Sequence, residues 1–418
     1  MLAGLCLLAA LIHGFILAFH RSFGFRDFDL HREVGRRFLS GEYLYANDFC
    51  YAYMPIAAMY LSPLALMGRD AGLMVRYVLA VGCLVATVVL FYRMTVPSES
   101  EGNRRNLYLL GGGSILLVLQ FILQDLDDGG PHLILLGILS VAIYAVWQNR
   151  EPLGAVLFGL SIALKLTPGI FLLLFVWKRQ WKLLALTIVA TASWIMIPML
   201  WMGPVGWWTH QAEWTRNAAL SVLDRQVEGR EHNEQRIRNQ ALRPTLLRYL
   251  VTYPADHPMR KDDPAYTPIL NLPPVLAGAG VMVAALGLLA VFARSSSRSF
   301  DSMKDKAWSR ECAAVLILAL LLSPMTWQQH LAWLLPGAFV VLASARLRNG
   351  LKPPEWLMLS AYIVLVMVLN YEVLGKSRFE MLLSYHPFGV AMILLFGLVV
   401  GMKSETLPII TGKQASTL

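Results

Sequence analysis

Long apolar runs separated by short polar breaks dominate the chain. They fall near 2–19, 53–68, 72–92, 107–124, 132–148, 153–176, 183–201, 273–293, 311–324, 330–345, 355–371 and 385–402. Most approach the roughly 20 residues that a helix needs to cross a bilayer core. They lack the apolar–polar alternation of an outer-membrane strand. The pattern therefore predicts an all-α polytopic membrane protein, a bundle of about 12 transmembrane helices. The run at 311–324 is short and 53–68 is marginal, so that count can shift by one or two. No basic stretch precedes the first run and no clear small-residue cleavage site follows it, so it reads as a retained helix rather than a signal peptide. Three parts result: an N-terminal transmembrane module over 1–201 with a first outer loop at 20–52, a large outer loop over 202–272, and C-terminal helices over 273–418.

Composition sharpens this reading. The 418 residues are 56% hydrophobic and 15% charged, where an average soluble domain has about 25% charged residues. Too little polar surface remains to cover a water-soluble globule. The net charge of +9 would suggest nucleic acid in a soluble protein. Here it fits cytoplasmic loops and anionic membrane lipid, and no nucleic-acid partner is expected. Lys178, Arg179 and Lys182 share one loop; Arg294, Arg298, Lys304, Lys306 and Arg310 share another; Arg346, Arg348 and Lys352 a third. Twelve spans put all three on one side with both termini, which makes that side cytoplasmic and both large loops extracytoplasmic. Arg93, Arg104 and Arg105 fit that parity only if 53–68 does not cross. Cys6, Cys50, Cys83 and Cys312 show no CxxC spacing and read as small hydrophobes. No phosphate-loop or dinucleotide motif is present, and Gly111–Gly113 sits inside an apolar run, where it suits a close helix contact.

Charged groups in hydrocarbon are costly, so each asks for an explanation. Lys165 lies in the middle of the 153–176 run, too deep to reach water easily. It reads either as the partner of a structural carboxylate or as a cation for an anion such as phosphate. His330 ends a polar break, Ser323-Pro324-Met325-Thr326-Trp327-Gln328-Gln329-His330. It can cap a helix, or contact phosphate or sugar beside the aromatic Trp327. Asp27 and Asp29 precede an amphipathic pattern of Leu30, Val34, Phe38 and Leu39, a helix lying on the membrane with Arg32, Arg36 and Arg37 toward lipid phosphate or water. Asp29 is the better N-cap, which leaves Asp27 free to act as a general base on a sugar hydroxyl, with Asp29 the alternative. Asn239-Gln240 suits hydroxyl recognition and is equally ordinary in a loop. Asp125, Asp127 and Asp128 can ligate a divalent cation or cap a helix.

These segments together resemble the polyprenyl-phosphate-dependent alpha-mannosyltransferases of the GT-C class, glycosyltransferase family 87. An Asp followed by a helix and a G-x-x-L-Y turn is matched by Asp27-Phe28-Asp29-Leu30-His31 through Gly41–Tyr45. An aromatic-x-Pro segment ending in Pro-Leu is matched by Tyr53-Met54-Pro55 and Pro63-Leu64. A Leu-Lys-Leu-x-Pro signature is matched by Leu164–Pro168, and an Asn-Gln-Ser-Leu motif by Asn239–Leu242 with Arg248 after it. A Leu-Ser-Pro-x-x-Trp-x-x-His motif is matched by Leu322–His330. His31 stands where Tyr is usual, Ala241 where Ser is, and Gly129-Gly130-Pro131-His132 where Gly-Gln-x-Asn is common.

The resemblance implies a GT-C fold with an active site at the extracytoplasmic face of the cell membrane. It implies a polyprenyl-phosphate sugar donor, with mannose as the sugar, and a lipid or glycan acceptor from the envelope. Asp27 would be the base and Lys165 and His330 the donor phosphate ligands. His31, Tyr53, Asn239, Gln240, Arg248 and Trp327 would contact substrate. With protein cations on the phosphate, no metal and no cofactor are expected. A secondary transporter or lipid flippase is the competing reading, although no internal repeat supports it.

Overall fold

The computed structural model describes residues 26–45, 53–96, 104–216, 237–255, 268–296 and 307–402, with Ile12, His257, Arg260, Tyr266 and Phe300 as single positions. The expected helix over 2–19, Cys6, Cys50, most of the basic loop at 294–310 and much of the 202–272 loop lie outside these residues. All regular structure among the described residues is helical.

Helix α1 (Arg26–Ser40) buries Phe28, His31, Val34 and Phe38, positions three or four apart on one face. That face lies on α2 (Pro55–Leu66), which starts on a proline whose missing N–H costs nothing there. The α1 arginines also bond groups of the chain itself. Arg32 donates to the carbonyls of Leu64 and Met67 and so caps the end of α2. Arg36 and Arg37 share Glu33, and Arg36 also binds Glu42. Local carboxylates and helix-end carbonyls take up these donors.

The chain continues through α3 (Arg69–Thr95), α4 (Arg104–Leu117), α5 (Leu119–Asp128), α6 (His132–Trp147), α7 (Glu151–Leu164), α8 (Ile170–Trp177), α9 (Trp181–Met196) and α10 (Met199–Trp214). Beyond the large loop come α11 (Leu242–Leu250), α12 (Pro274–Ser295), α13 (Ala307–Leu321), a 3₁₀ turn at Gln328–Leu334, α14 (Leu335–Leu347) and α15 (Pro353–Ile363). The short α16 (Tyr371–Leu374) and α17 (Lys376–Leu383) precede α18 (Pro387–Gly401). Helix α13 is buried on nearly every side and packs on α3, α6, α8, α14 and α18. A helix apolar all round belongs in such a place. By contrast α12 leaves Val275, Met282, Val283 and Leu286 exposed, as a lipid-facing helix would.

Several runs that read as single spans are broken. Among the described residues three helices are long and apolar enough to cross a membrane, or up to six if each bent pair counts as one span. The 107–124 run bends by 69° between α4 and α5, and 183–201 by 89° between α9 and α10. The 153–176 run stops at Leu164 and resumes at Ile170. Pro198 and Pro168 mark the last two breaks: proline lacks the N–H donor and disfavours helical geometry in the residue before it. Apolar content measures how much chain is buried, and it does not report where the axis turns.

Candidate active site

The break in the 153–176 run places Lys165. It is the C-cap of α7 in extended geometry (φ −154°, ψ 125°), its N–H still bonded to the Ser161 carbonyl. It therefore stands at a helix end beside a 3₁₀ turn, where the sequence had suggested the middle of a span. Nζ lies 3.3 Å from His330 Nε2 and 3.5 Å from His132 Nδ1. The two imidazoles pack with centroids 4.2 Å apart. His330 comes from the 3₁₀ turn, which packs on α5 and α6, and its Nδ1 accepts from the Trp327 backbone N–H at 3.3 Å. Among the described residues Lys165 makes no ion pair with a carboxylate.

Asp27 reaches the same place from α1. Its carboxylate is hydrogen-bonded by the Gln329 side chain, next in sequence to His330. Burial pushes its pKa above the ordinary carboxylate value, opposed by that hydrogen bond and by the charges of Arg76 and Lys165. Asp29 does something else. Because α1 already begins at Arg26, Asp29 is inside the helix and is not its N-cap. Its two oxygens take a bidentate pair from Arg69, at 2.9 and 3.1 Å.

A buried staple holds the loop between α5 and α6 under this cluster. Arg76, on α3, donates to the carbonyls of Asp125, Leu126 and Gly130 at the end of α5. Asp125 in turn accepts from the backbone N–H groups of His132 and Leu133, capping α6 at 3.2 and 3.1 Å. Of the two readings of the acidic run, Asp125 thus performs the capping one. Gly129 has φ +72°, and a Cβ on it would meet Phe28 Cβ at 2.5 Å; one on Gly130 would meet Asp125 Oδ1 at 2.6 Å. Only glycine fits both positions. His31 is buried and makes a hydrogen bond to the Gly129 backbone. Burial, with Arg76 adding, pushes its pKa down to about 4. Its ring meets Tyr53 edge-on at 6.3 Å. His31, Tyr53 and Lys165 line a pocket of about 430 Å³, open mouth included, whose other walls are mostly apolar: Ala57, Leu61, Ile134, Leu135 and Ile138 among them.

Asn239, Gln240 and Arg248 form a second group. Asn239 donates to Pro324 O and accepts from the N–H groups of Ala241 and Thr326. Gln240 donates to Ile237 O and Leu383 O and accepts from Phe388 N–H. Arg248 is fully buried among Tyr249, Tyr266 and Tyr385, the closest ring 4.7 Å away. These side chains tie the large loop to the 324–326 segment and to the start of α18. Trp327 joins the two groups along the chain, between Thr326 and the 3₁₀ turn.

The sequence reading had singled out neither His132 nor Arg76 nor Gln329 as a site residue. Arg76 carried a usable signal, a cation inside the 72–92 run. His132 opens an apolar run directly after the acidic cluster, which is a fainter one. Gln329 had no signal, because its role comes from a residue about 300 positions away.

The described residues thus gather a carboxylate, a lysine and two imidazoles beside a pocket with mostly apolar walls in a helical, apolar chain. The model of "Glycosyltransferase family 87" matches residues 51–324, about two-thirds of the chain. The chain belongs to that family and is a hexosyltransferase, which removes the transporter and flippase reading. It is 24% identical over 407 residues to a "Polyprenol-phosphate-mannose-dependent alpha-(1-2)-phosphatidylinositol mannoside mannosyltransferase" of Mycolicibacterium smegmatis, covering 91% of this chain and 85% of that one. A protein of the same description from Mycobacterium tuberculosis is 25% identical over 345 residues, covering 77% and 71%.

Proposed function

We propose that this chain transfers mannose from a polyprenyl-phosphate donor to a hydroxyl of an envelope glycolipid, at the extracytoplasmic face of the cell membrane. The donor and a mannosylated phosphatidylinositol-type acceptor follow from what its relatives are described as using. The observation that carries the mechanism is the convergence of Asp27, Lys165 and the Gln329-His330 pair from three distant segments of chain. Asp27 takes the proton from the acceptor hydroxyl. The acceptor oxygen forms its bond to C1 as the bond from C1 to the phosphate oxygen breaks, with inversion at C1. The electron pair of the broken bond stays on the phosphate, where Lys165 and His330 stabilise the growing charge. The apolar pocket beside Lys165 takes the first part of the polyprenyl chain, which places a hydrocarbon against hydrocarbon and a phosphate against cations. His31 and Tyr53 border the same pocket and contact donor. Asn239, Gln240 and Arg248 act on substrate by holding the large loop over the site.

Broken helices and a membrane-lying α1 suit a GT-C bundle in which outer loops cover a site at the lipid–water boundary. On this reading the residues are organised as an N-terminal module over 1–201, an outer loop over 202–272 and C-terminal helices over 273–418. The test is incubation of purified protein with polyprenyl-phosphate mannose and envelope lipid extract. Released polyprenyl phosphate together with a mannosylated lipid is the expected result. Hydrolysis without a lipid product, or no turnover with any polyprenyl-phosphate hexose, would remove the proposed reaction.

A further inference from the structure

We propose that His132 is a third ligand of the donor phosphate, acting beside Lys165 and His330. The inference rests on the phosphate reading above and deepens it: the anion would be held by a lysine and two imidazoles. Among the described residues, the only hydrogen bond given to the His132 ring is the 3.5 Å contact with Lys165 Nζ. The ring also packs on His330, at 4.2 Å between centroids. Three basic groups in mutual contact repel one another as they gain protons. A bound anion turns that repulsion into attraction, and among the described residues no carboxylate bonds to Lys165 to do so.

The position of His132 is fixed from several sides. Its N–H is bonded to Asp125, its carbonyl accepts from the Trp333 indole at 3.0 Å, and Asp125 is itself held by Arg76. The backbone of α6 needs only those bonds, and any residue type could supply them. The imidazole is therefore surplus to the fold while its ring nitrogen points at the reacting cations. As the bond from C1 to the phosphate oxygen breaks, an imidazole N–H can donate to a non-bridging phosphate oxygen whose charge is rising.

The test compares farnesyl phosphate with farnesol as probes, the two differing only in the phosphate. Both are titrated into the purified full-length chain and into His132→Ala and His132→Gln, with melting temperatures measured alongside. Wild type should prefer farnesyl phosphate. Each folded variant should bind farnesyl phosphate about tenfold more weakly and farnesol unchanged, the size of one charge-assisted hydrogen bond. The KM for donor should rise while that for acceptor stays put. Should either folded variant keep the full preference for farnesyl phosphate while Lys165→Met loses it, His132 only packs against His330 and the proposal is overturned. A wild-type protein that does not distinguish the two probes would instead remove the phosphate site, and with it the donor assignment on which this rests.

Discussion

Asn239 and Gln240 are as deeply buried as His132 and His330, yet the two groups use their polar atoms in opposite ways. Each amide is satisfied by backbone groups from two or three segments, so the interactions close on themselves. Among the described residues Lys165 hydrogen-bonds only to the two imidazoles, and it borders a pocket with mostly apolar walls. Buried polar groups that are fully paired fix a structure. A lysine and two imidazoles clustered beside a cavity repel one another as they gain protons, until an anion arrives. The comparison separates residues that a shared motif pattern treats alike, one set holding the loop and the other awaiting charge.

Substitutions test that division directly, and Asp27→Asn should have the largest effect. The amide keeps shape and the Gln329 contact but accepts no proton, so turnover should fall by about 10²–10⁴ with little change in melting temperature. Asp29→Asn should lose only an exposed pair with Arg69 and keep most activity. The reverse pattern would exchange the two roles. Lys165→Met should lower kcat/KM by about 10²–10³, as expected for loss of one preorganised electrostatic donor. His330→Ala should cost less, because a second cation remains. Equal kcat/KM in Lys165→Met and wild type would place the phosphate elsewhere.

Asn239→Ala and Gln240→Ala should show up mainly in stability, by about 1–3 kcal/mol each, since buried partners are left unpaired. Activity per folded molecule should fall far less than in Asp27→Asn. Full stability with dead enzyme would make these amides substrate ligands and break the comparison.

The smallest effects are in pH dependence. Asp27 must be ionised to act, and its pKa lies above the ordinary value, so the acid limb of kcat/KM should sit above that of an exposed carboxylate. His31 works on stability. Its folded pKa of about 4 lies below the ordinary histidine value near 6.5. Between those values the unfolded chain binds more protons, so its contribution is complete above about pH 6.5 and is lost as pH falls toward 4. His31→Gln should flatten that part of a melting-temperature profile.

The residues that hold chemistry were legible to the extent that burial in an apolar run made them costly. Lys165 announced itself that way, Asp27 stood in the first outer loop before an amphipathic helix, and His330 ended a short polar break. Arg76, inside the 72–92 run, met the same rule and was passed over, and His132 opened an apolar run after the acidic cluster. Cost alone does not say whether a polar group is paired by the fold or left for a ligand: Asn239 and Lys165 differ only in what surrounds them in space.

The sequence by itself determined that this chain is helical and built for a membrane, because hydrocarbon admits long apolar helices and water does not. It also carried enough ordered motifs to indicate the family. Tertiary structure alone decided that the 153–176 run breaks at Lys165, that Arg69 occupies Asp29, and that Asp27 meets Gln329, the neighbour of His330. Those outcomes depend on which groups meet across hundreds of residues. Apolar periodicity is local, whereas pairing of a charge is settled by whatever neighbour the packing brings within hydrogen-bond distance.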